Sequence, residues 1–247
     1  MSTTASQSMP LRLYLVRHGE TEWSLTGQHT GRTDLPLTAQ GEDEARELAP
    51  RLRYIQFAHV LTSPRQRSRR TCELAGLGAA AEIEPDLAEW DYGDYEGQRS
   101  VDIRKKRADW DLFRDGCPRG EMPEQVSERA DRLIAHLRAL DGNVALFSHG
   151  QFGCVLAARW IGLPLVEAQH FALGPASLSI LDCDPHHPRV ATIALWNAAV
   201  HETFNPAPYP RTGATMTVNP RTIERWENEG GEIPMGADSD LLKKNER

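Results

Sequence analysis

The chain has 247 residues, of which 40% are apolar and 26% charged, and carries a formal net charge of −7. That length is enough to bury the core of one sizeable α/β domain. The acidic balance excludes a general attraction for nucleic acid or an anionic membrane surface, so an anionic substrate must be met by a local cationic pocket.

Residues 1–10 are small and polar, with neither a basic start nor an apolar run. They read as a disordered N-terminus, not as a signal peptide. The first strand is expected over 11–16 and runs straight into Arg17-His18-Gly19-Glu20-Thr21. After a long loop, Thr38 reads as the N-cap of a helix that places Ala45, Leu48, Ala49 and Leu52 on one face. A second strand is expected over 59–62. Ser63 then reads as an N-cap, Pro64 as the first helical residue and Gln66 as the partner of a capping box. A short strand is expected near 82–84.

The stretch 89–122 is rich in Asp, Arg, Gly and Trp and is expected to be an irregular insertion over the active-site crevice. Pro123 opens a strongly amphipathic helix with Val126, Ala130, Leu133, Ile134 and Leu137 on its buried stripe. Residues 144–147 form another apolar strand, which runs into Ser148-His149-Gly150. A helix near 152–161 and strands near 177–181 and 190–196 follow. Alternation of strand and helix predicts a three-layer α/β fold, with a mostly parallel sheet covered on both faces. The domain is placed at 11–200. From 201 to 247 the composition turns to Pro, Asn, Thr, Glu and Lys, and the tail is expected to be extended or partly disordered.

Two apolar runs therefore end on His-Gly, at His18 and at His149. Open α/β sheets gather their chemistry at the carboxyl ends of the strands. Parallel neighbours would bring both imidazoles into one crevice. Neutral imidazole is a good nucleophile towards phosphorus near neutral pH, and the Arg17 fork suits phosphate oxygens. The pattern points to phosphate chemistry that needs no metal and no other cofactor. Among Arg65, Arg67, Arg69 and Arg70 the residues alone do not single out a phosphate ligand. Nor do they single out one acid near Glu89. The segment 182–188 holds Asp, Cys and two His, but its two prolines and flanking strands say hairpin turn, not metal site. Trp90, Tyr92, Trp110 and Phe113 could form a pocket wall or pack a core. The four cysteines, Cys72, Cys117, Cys154 and Cys183, form no C-x-x-C pair and read as reduced, in keeping with a cytoplasmic protein.

Arg17-His18-Gly19-Glu20-Thr21-Glu22-Trp23 resembles the signature of the histidine phosphatase superfamily, the phosphoglycerate-mutase-like proteins. The likeness continues, in family order, through residues 30–38, 62–71 and 89–93, Gly120-Glu121 and Ser148-His149-Gly150. It implies His18 as the nucleophile that becomes phosphohistidine. It places Arg17, Arg67 and His149 around the phosphoryl group, with Glu89 as proton donor to the leaving alcohol. The family usually has asparagine where Ser24 stands, which leaves that serine's role open. The blocks 23–31, 89–97 and 110–117 are similar to the fungal sedoheptulose-1,7-bisphosphatase branch. Gln28, Thr30, Gly31 and Tyr92, with Ser24, are the candidate substrate contacts. The expected partner is a small phosphorylated metabolite such as a sugar phosphate, not a nucleic acid or a membrane, and a homo-oligomer is left open. The mutase pattern is missing between Gly97 and Pro123, which favours water as acceptor. The alternatives are a cofactor-dependent phosphoglycerate mutase, a protein phosphohistidine phosphatase and a non-catalytic phosphate-binding protein.

Overall fold

The computed structural model describes residues 10–199. The expectations for 1–9 and 200–247 lie outside the described residues.

Six strands form one sheet in the order β3-β2-β4-β1-β5-β6. They are β1 (Arg12–Arg17), β2 (Phe57–Thr62), β3 (Ala81–Ile83), β4 (Asn143–Ser148), β5 (Leu178–Cys183) and β6 (Ala191–Ala198). The first four pair in parallel, whereas β5 and β6 run antiparallel. The helices are α1 (Glu22–Thr26), α2 (Ala39–Leu52), α3 (Gln66–Leu74), α4 (Ser100–Arg104), α5 (Leu112–Asp115), α6 (Pro123–Leu137) and α7 (Gly150–Trp160).

The central strands are apolar throughout because both of their faces are covered. Their side chains alternate between two cores. Leu13, Leu15, Val144 and Leu146 pack with α6 and α7, while Tyr14, Val16, Ala145 and Phe147 pack with α2 and α3. This is the three-layer, mostly parallel arrangement expected from the sequence. The turn reading of 182–188 also holds, since Asp184 Oδ1 accepts the main-chain N–H groups of His186 and His187.

One local expectation is corrected. The helix after β2 does not start at Pro64 with Ser63 as its cap. It starts at Gln66, and its N-cap Arg65 has no side-chain capping bond. The Ser63 hydroxyl has a stronger claim on it, a 2.7 Å hydrogen bond with His149 Nε2.

The stretch 89–122 is irregular, with two short helices, but it is not a loose flap. Trp90, Trp110, Leu112 and Phe113 are buried in the same core as α6 and α7. His29 N–H donates to Gln98 O and Gly97 N–H to His29 O, which ties this stretch to the loop after β1.

The turn that carries His18 is pressed against the start of α2. A Cβ added to Gly41 would lie 2.2 Å from Glu20 O. In an ordinary helix Gly→Ala stabilises by up to ~1 kcal/mol. Here Gly41→Ala is expected to destabilise by about 2 kcal/mol in urea unfolding, because rigid backbone must move.

Candidate active site

β1 and β4 pair in register, Arg17 opposite Ser148. The next residue of each strand is a histidine, and the ladder continues for one more bond, His18 N–H to Ser148 O at 3.0 Å. The two imidazole rings therefore meet, with centroids 5.2 Å apart. The glycine after each histidine has its own reason. A Cβ on Gly19 would strike Gly41 O at 2.3 Å, while a Cβ on Gly150 would press on the Arg17 guanidinium at 3.2 Å.

His18 Nδ1 lies 2.7 Å from Gly19 O. A carbonyl only accepts, so the ring proton sits on Nδ1 and the Nε2 lone pair is free for attack. Burial, then the charges of Arg67 and Arg17, push the His18 pKa well below its ordinary 6.5, against the pull of the Gly19 carbonyl. The ring is held as a neutral nucleophile.

His149 is likewise pushed down, by burial first and then by Arg67. Ser63 Oγ accepts from Arg65 N–H at 3.3 Å and shares a 2.7 Å hydrogen bond with His149 Nε2. His149 Nδ1 is buried with no hydrogen-bond partner among the described residues. A buried ring nitrogen without a partner calls for one.

Arg67 is fully buried. Its Nη1 donates to Thr33 O at 2.9 Å, and its Nη2 to Thr30 O at 2.8 Å and Gly31 O at 3.2 Å. Burial lowers its pKa to about 10, so it remains a cation at neutral pH. Thr71, one turn later on α3, accepts Gly19 N–H and donates to Arg67 O, coupling the helix to the His18 turn. Arg70 instead faces outward onto Glu42 and Glu73. Arg17 Nη1 donates to Leu173 O.

Glu89 is buried beside these cations. Its carboxylate accepts three main-chain N–H groups, from Trp90 at 2.9 Å, Gln151 at 3.0 Å and Phe152 at 2.8 Å. Two of these belong to the first turn of α7, where orphan amides and the helix dipole favour negative charge. Burial nevertheless dominates and raises the Glu89 pKa above 4.5, with the amides and Arg67 pulling the other way.

One cleft brings together Arg17, His18, Ser24, Gln28, Thr30, Glu89 and Tyr92 of the expected residues. Arg67 and His149 adjoin it from below through the contacts just described. Gly31 does not line it. Its main chain instead binds Arg67 and the Glu96 carboxylate. The Ser24 hydroxyl is engaged in the capping box of α1 with Thr21. Gln28 holds Gly97 O with its amide. Of the four aromatics, only Tyr92 faces the cleft.

Three lining residues escaped the sequence reading: His29, Gly150 and Gln151. His29 stacks on Tyr92 with centroids 4.5 Å apart, and burial brings its pKa down to about 4. It presents a neutral ring. The flanking candidates Gln28 and Thr30 were the only hint of it. Gln151 follows the second His-Gly pair directly, and that proximity was its signal.

Comparison with known proteins decides the family, since the family model of the histidine phosphatase superfamily (branch 1) matches residues 13–196. The chain belongs to the histidine phosphatase superfamily. An acid phosphatase of Mycobacterium tuberculosis is 42% identical over 175 residues, covering 68% of this chain and 85% of that protein. The sedoheptulose 1,7-bisphosphatase of Saccharomyces cerevisiae is 36% identical, covering 63% of this chain and 69% of that protein. A probable phosphoglycerate mutase, GpmB of Cronobacter sakazakii, is 33% identical, covering 70% of this chain and 85% of that protein. A solved structure of an open reading frame from Mycobacterium tuberculosis superposes with a TM-score of 0.72 at 38% identity, covering 77% of this chain and 98% of that one. This histidine phosphatase is thus similar over much of its length to named phosphatases, and it is a phosphatase. No helix among the described residues is long and apolar enough to cross a membrane.

Proposed function

We propose that the protein hydrolyses the phosphomonoester of a small phosphorylated sugar or related metabolite through a phosphohistidine at His18. The observation that carries this reading is a neutral, deprotonated His18 Nε2 beside two buried guanidiniums and a buried carboxyl group. His18 Nε2 attacks phosphorus as the P–O bond to the leaving group breaks, and Glu89 gives its proton to the departing oxygen. A water then attacks phosphorus, the N–P bond breaks, and Glu89 takes the water proton. Inorganic phosphate leaves and the starting protonation state returns. Charge on the transferring phosphoryl oxygens is met by Arg17, Arg67 and His149. With the guanidiniums in that role, the chemistry needs no metal.

Beyond the cations, Ser24, Gln28, His29, Thr30, Tyr92 and Gln151 offer neutral polar groups and one aromatic face, which suit the hydroxyls and ring of a sugar. The likeness to sedoheptulose 1,7-bisphosphatase supports a sugar phosphate.

The test is hydrolysis of a panel of sugar mono- and bisphosphates, nucleotides and phosphopeptides, with and without chelator, followed by rapid quench. The expected result is an acid-labile, alkali-stable phosphoenzyme and a rate insensitive to chelator. Loss of activity with chelator overturns the mechanism. Rapid phosphoryl exchange between phosphoglycerates on adding 2,3-bisphosphoglycerate would replace the hydrolase with a mutase, and preference for phosphohistidine peptides would replace the metabolite with a protein.

The pH profile follows from the two shifts. His18 must be neutral, and its pKa lies below 6.5, so activity persists into acid and falls only as pH drops through that lowered value. Glu89 must be protonated, and its pKa lies above 4.5, so activity declines as pH rises through that raised value. kcat/KM is therefore expected to follow a bell, with its acid limb set by His18 and its alkaline limb by Glu89. Glu89→Gln should remove the alkaline limb.

A further inference from the structure

Glu89 sits on an irregular segment, not on a strand or a long helix. Something else must fix it, because a general acid works only when its proton lies within hydrogen-bond reach of the leaving oxygen. A largely buried ion pair does this, with the Arg129 side chain 10% and the Glu121 side chain 22% exposed. Arg129 of α6 and Glu121 bind each other side by side, Nε to Oε1 and Nη2 to Oε2, both at 2.9 Å. The rest of the guanidinium is spent on the Glu89 segment. Nη1 donates to Asp86 O at 2.9 Å and Ala88 O at 2.7 Å, and Nη2 reaches Glu89 O at 3.4 Å.

Glu121 grips the same segment from its other end. Its Oε2 accepts Asp91 N–H at 2.9 Å, its N–H donates to Asp91 O at 2.8 Å, and its carbonyl accepts the Trp90 indole N–H at 2.9 Å. The Arg129 guanidinium also lies over the Phe152 ring, 4.2 Å from its centroid, and Phe152 N–H holds the Glu89 carboxylate. The pair thus meets both the main chain that carries Glu89 and the residue that orients its carboxyl group. A planar five-donor fork can hold two carbonyls and a carboxylate at once, which a point charge cannot.

We propose that the Arg129–Glu121 ion pair is a positioning device for the proton donor, setting where the Glu89 carboxyl group stands relative to the leaving oxygen. This rests on the reading of Glu89 as general acid. A buried pair of this kind need not add stability, and its worth here lies in geometry.

The test separates leaving groups. 4-Nitrophenyl phosphate releases a phenolate that needs no proton, whereas glycerol 3-phosphate releases an alkoxide that does. Glu89→Gln is expected to lower kcat/KM for the alkyl ester about 100-fold more than for the aryl ester. Arg129→Met, Arg129→Lys and Glu121→Gln are each expected to show the same skew, by at least about 10-fold, with lysine milder than methionine. The double variant Glu89→Gln/Arg129→Lys should show no more skew than Glu89→Gln alone, because the second change acts through the first.

Equal losses on both esters in the Arg129 and Glu121 variants, with Glu89→Gln still skewed, would overturn the positioning role and spare the general acid. An unskewed Glu89→Gln would overturn both. If Arg129→Met does not fold, Arg129→Lys and Glu121→Gln decide the matter. A merely structural role lowers activity on both esters alike.

Discussion

His18→Ala is expected to lower kcat/KM by a factor on the order of 10^5 for every phosphomonoester, alkyl or aryl, and to abolish the trapped phosphoenzyme. The size follows from what the side chain does. His149 is poorly placed to substitute as nucleophile, because its Nε2 is bound to Ser63 at 2.7 Å. The fold should survive, because the His18 side chain makes one local hydrogen bond, to Gly19 O, and the strand ladder around it is main chain. Unchanged urea unfolding alongside lost turnover is the expected pair of readings. Turnover near that of the parent protein would remove His18 from the mechanism.

Arg67→Met is expected to act on two quantities at once. Transition-state charge loses a buried cation, and kcat/KM should fall by roughly 10^3. Stability should fall too, by about 3 kcal/mol, because the main-chain oxygens of Thr30, Gly31 and Thr33 lose their donors inside the protein. These carbonyls belong to the loop that carries the cleft-lining residues Gln28, His29 and Thr30, so KM for sugar phosphates should rise. Arg67→Lys keeps the charge but cannot reach three carbonyls with one ammonium. It should recover part of kcat and little of the stability. Steady-state kinetics and denaturant unfolding on the two variants check both halves. A stability loss with turnover intact would make Arg67 a loop anchor only.

The arginine cluster shows where sequence reading ran out. Arg65, Arg67, Arg69 and Arg70 share one composition and one stretch of chain, and charge alone does not rank them. The ranking comes from the face of α3. Arg67, Ser68, Thr71 and Cys72 are buried, at spacings of one and four that trace one stripe of a helix. Arg70 falls outside it, on solvent-exposed carboxylates. The stripe was present in the sequence, but a buried arginine is so uncommon that hydrophobic periodicity does not flag it. Ser63 misled for a related reason. Its place before Pro64 fits a helix cap, but a bond to a residue 86 positions away outweighed the local one.

Glu89 illustrates a second limit. Its character as an acid with a raised pKa depends on burial and on amides of α7 that lie 62 and 63 residues later. Nothing within its own neighbourhood of acidic residues distinguishes it. His29, between two residues that were singled out, was missed because a histidine acting as a neutral, stacked wall leaves no chemical motif.

The sequence by itself determined the strands, the amphipathic helices and the two His-Gly turns, because hydrophobic period and turn chemistry are local properties of the chain. Through its ordered motifs it also determined the superfamily. The family motifs implied different roles for the two histidines, and the tertiary structure gave their rings different surroundings. His18 Nδ1 donates to Gly19 O, which leaves its Nε2 open, whereas His149 Nε2 is engaged with Ser63 Oγ. The tertiary structure alone decided that Arg67 faces inward and that Glu89 is held as a buried acid, since burial and charge proximity arise only when distant segments meet at one sheet end.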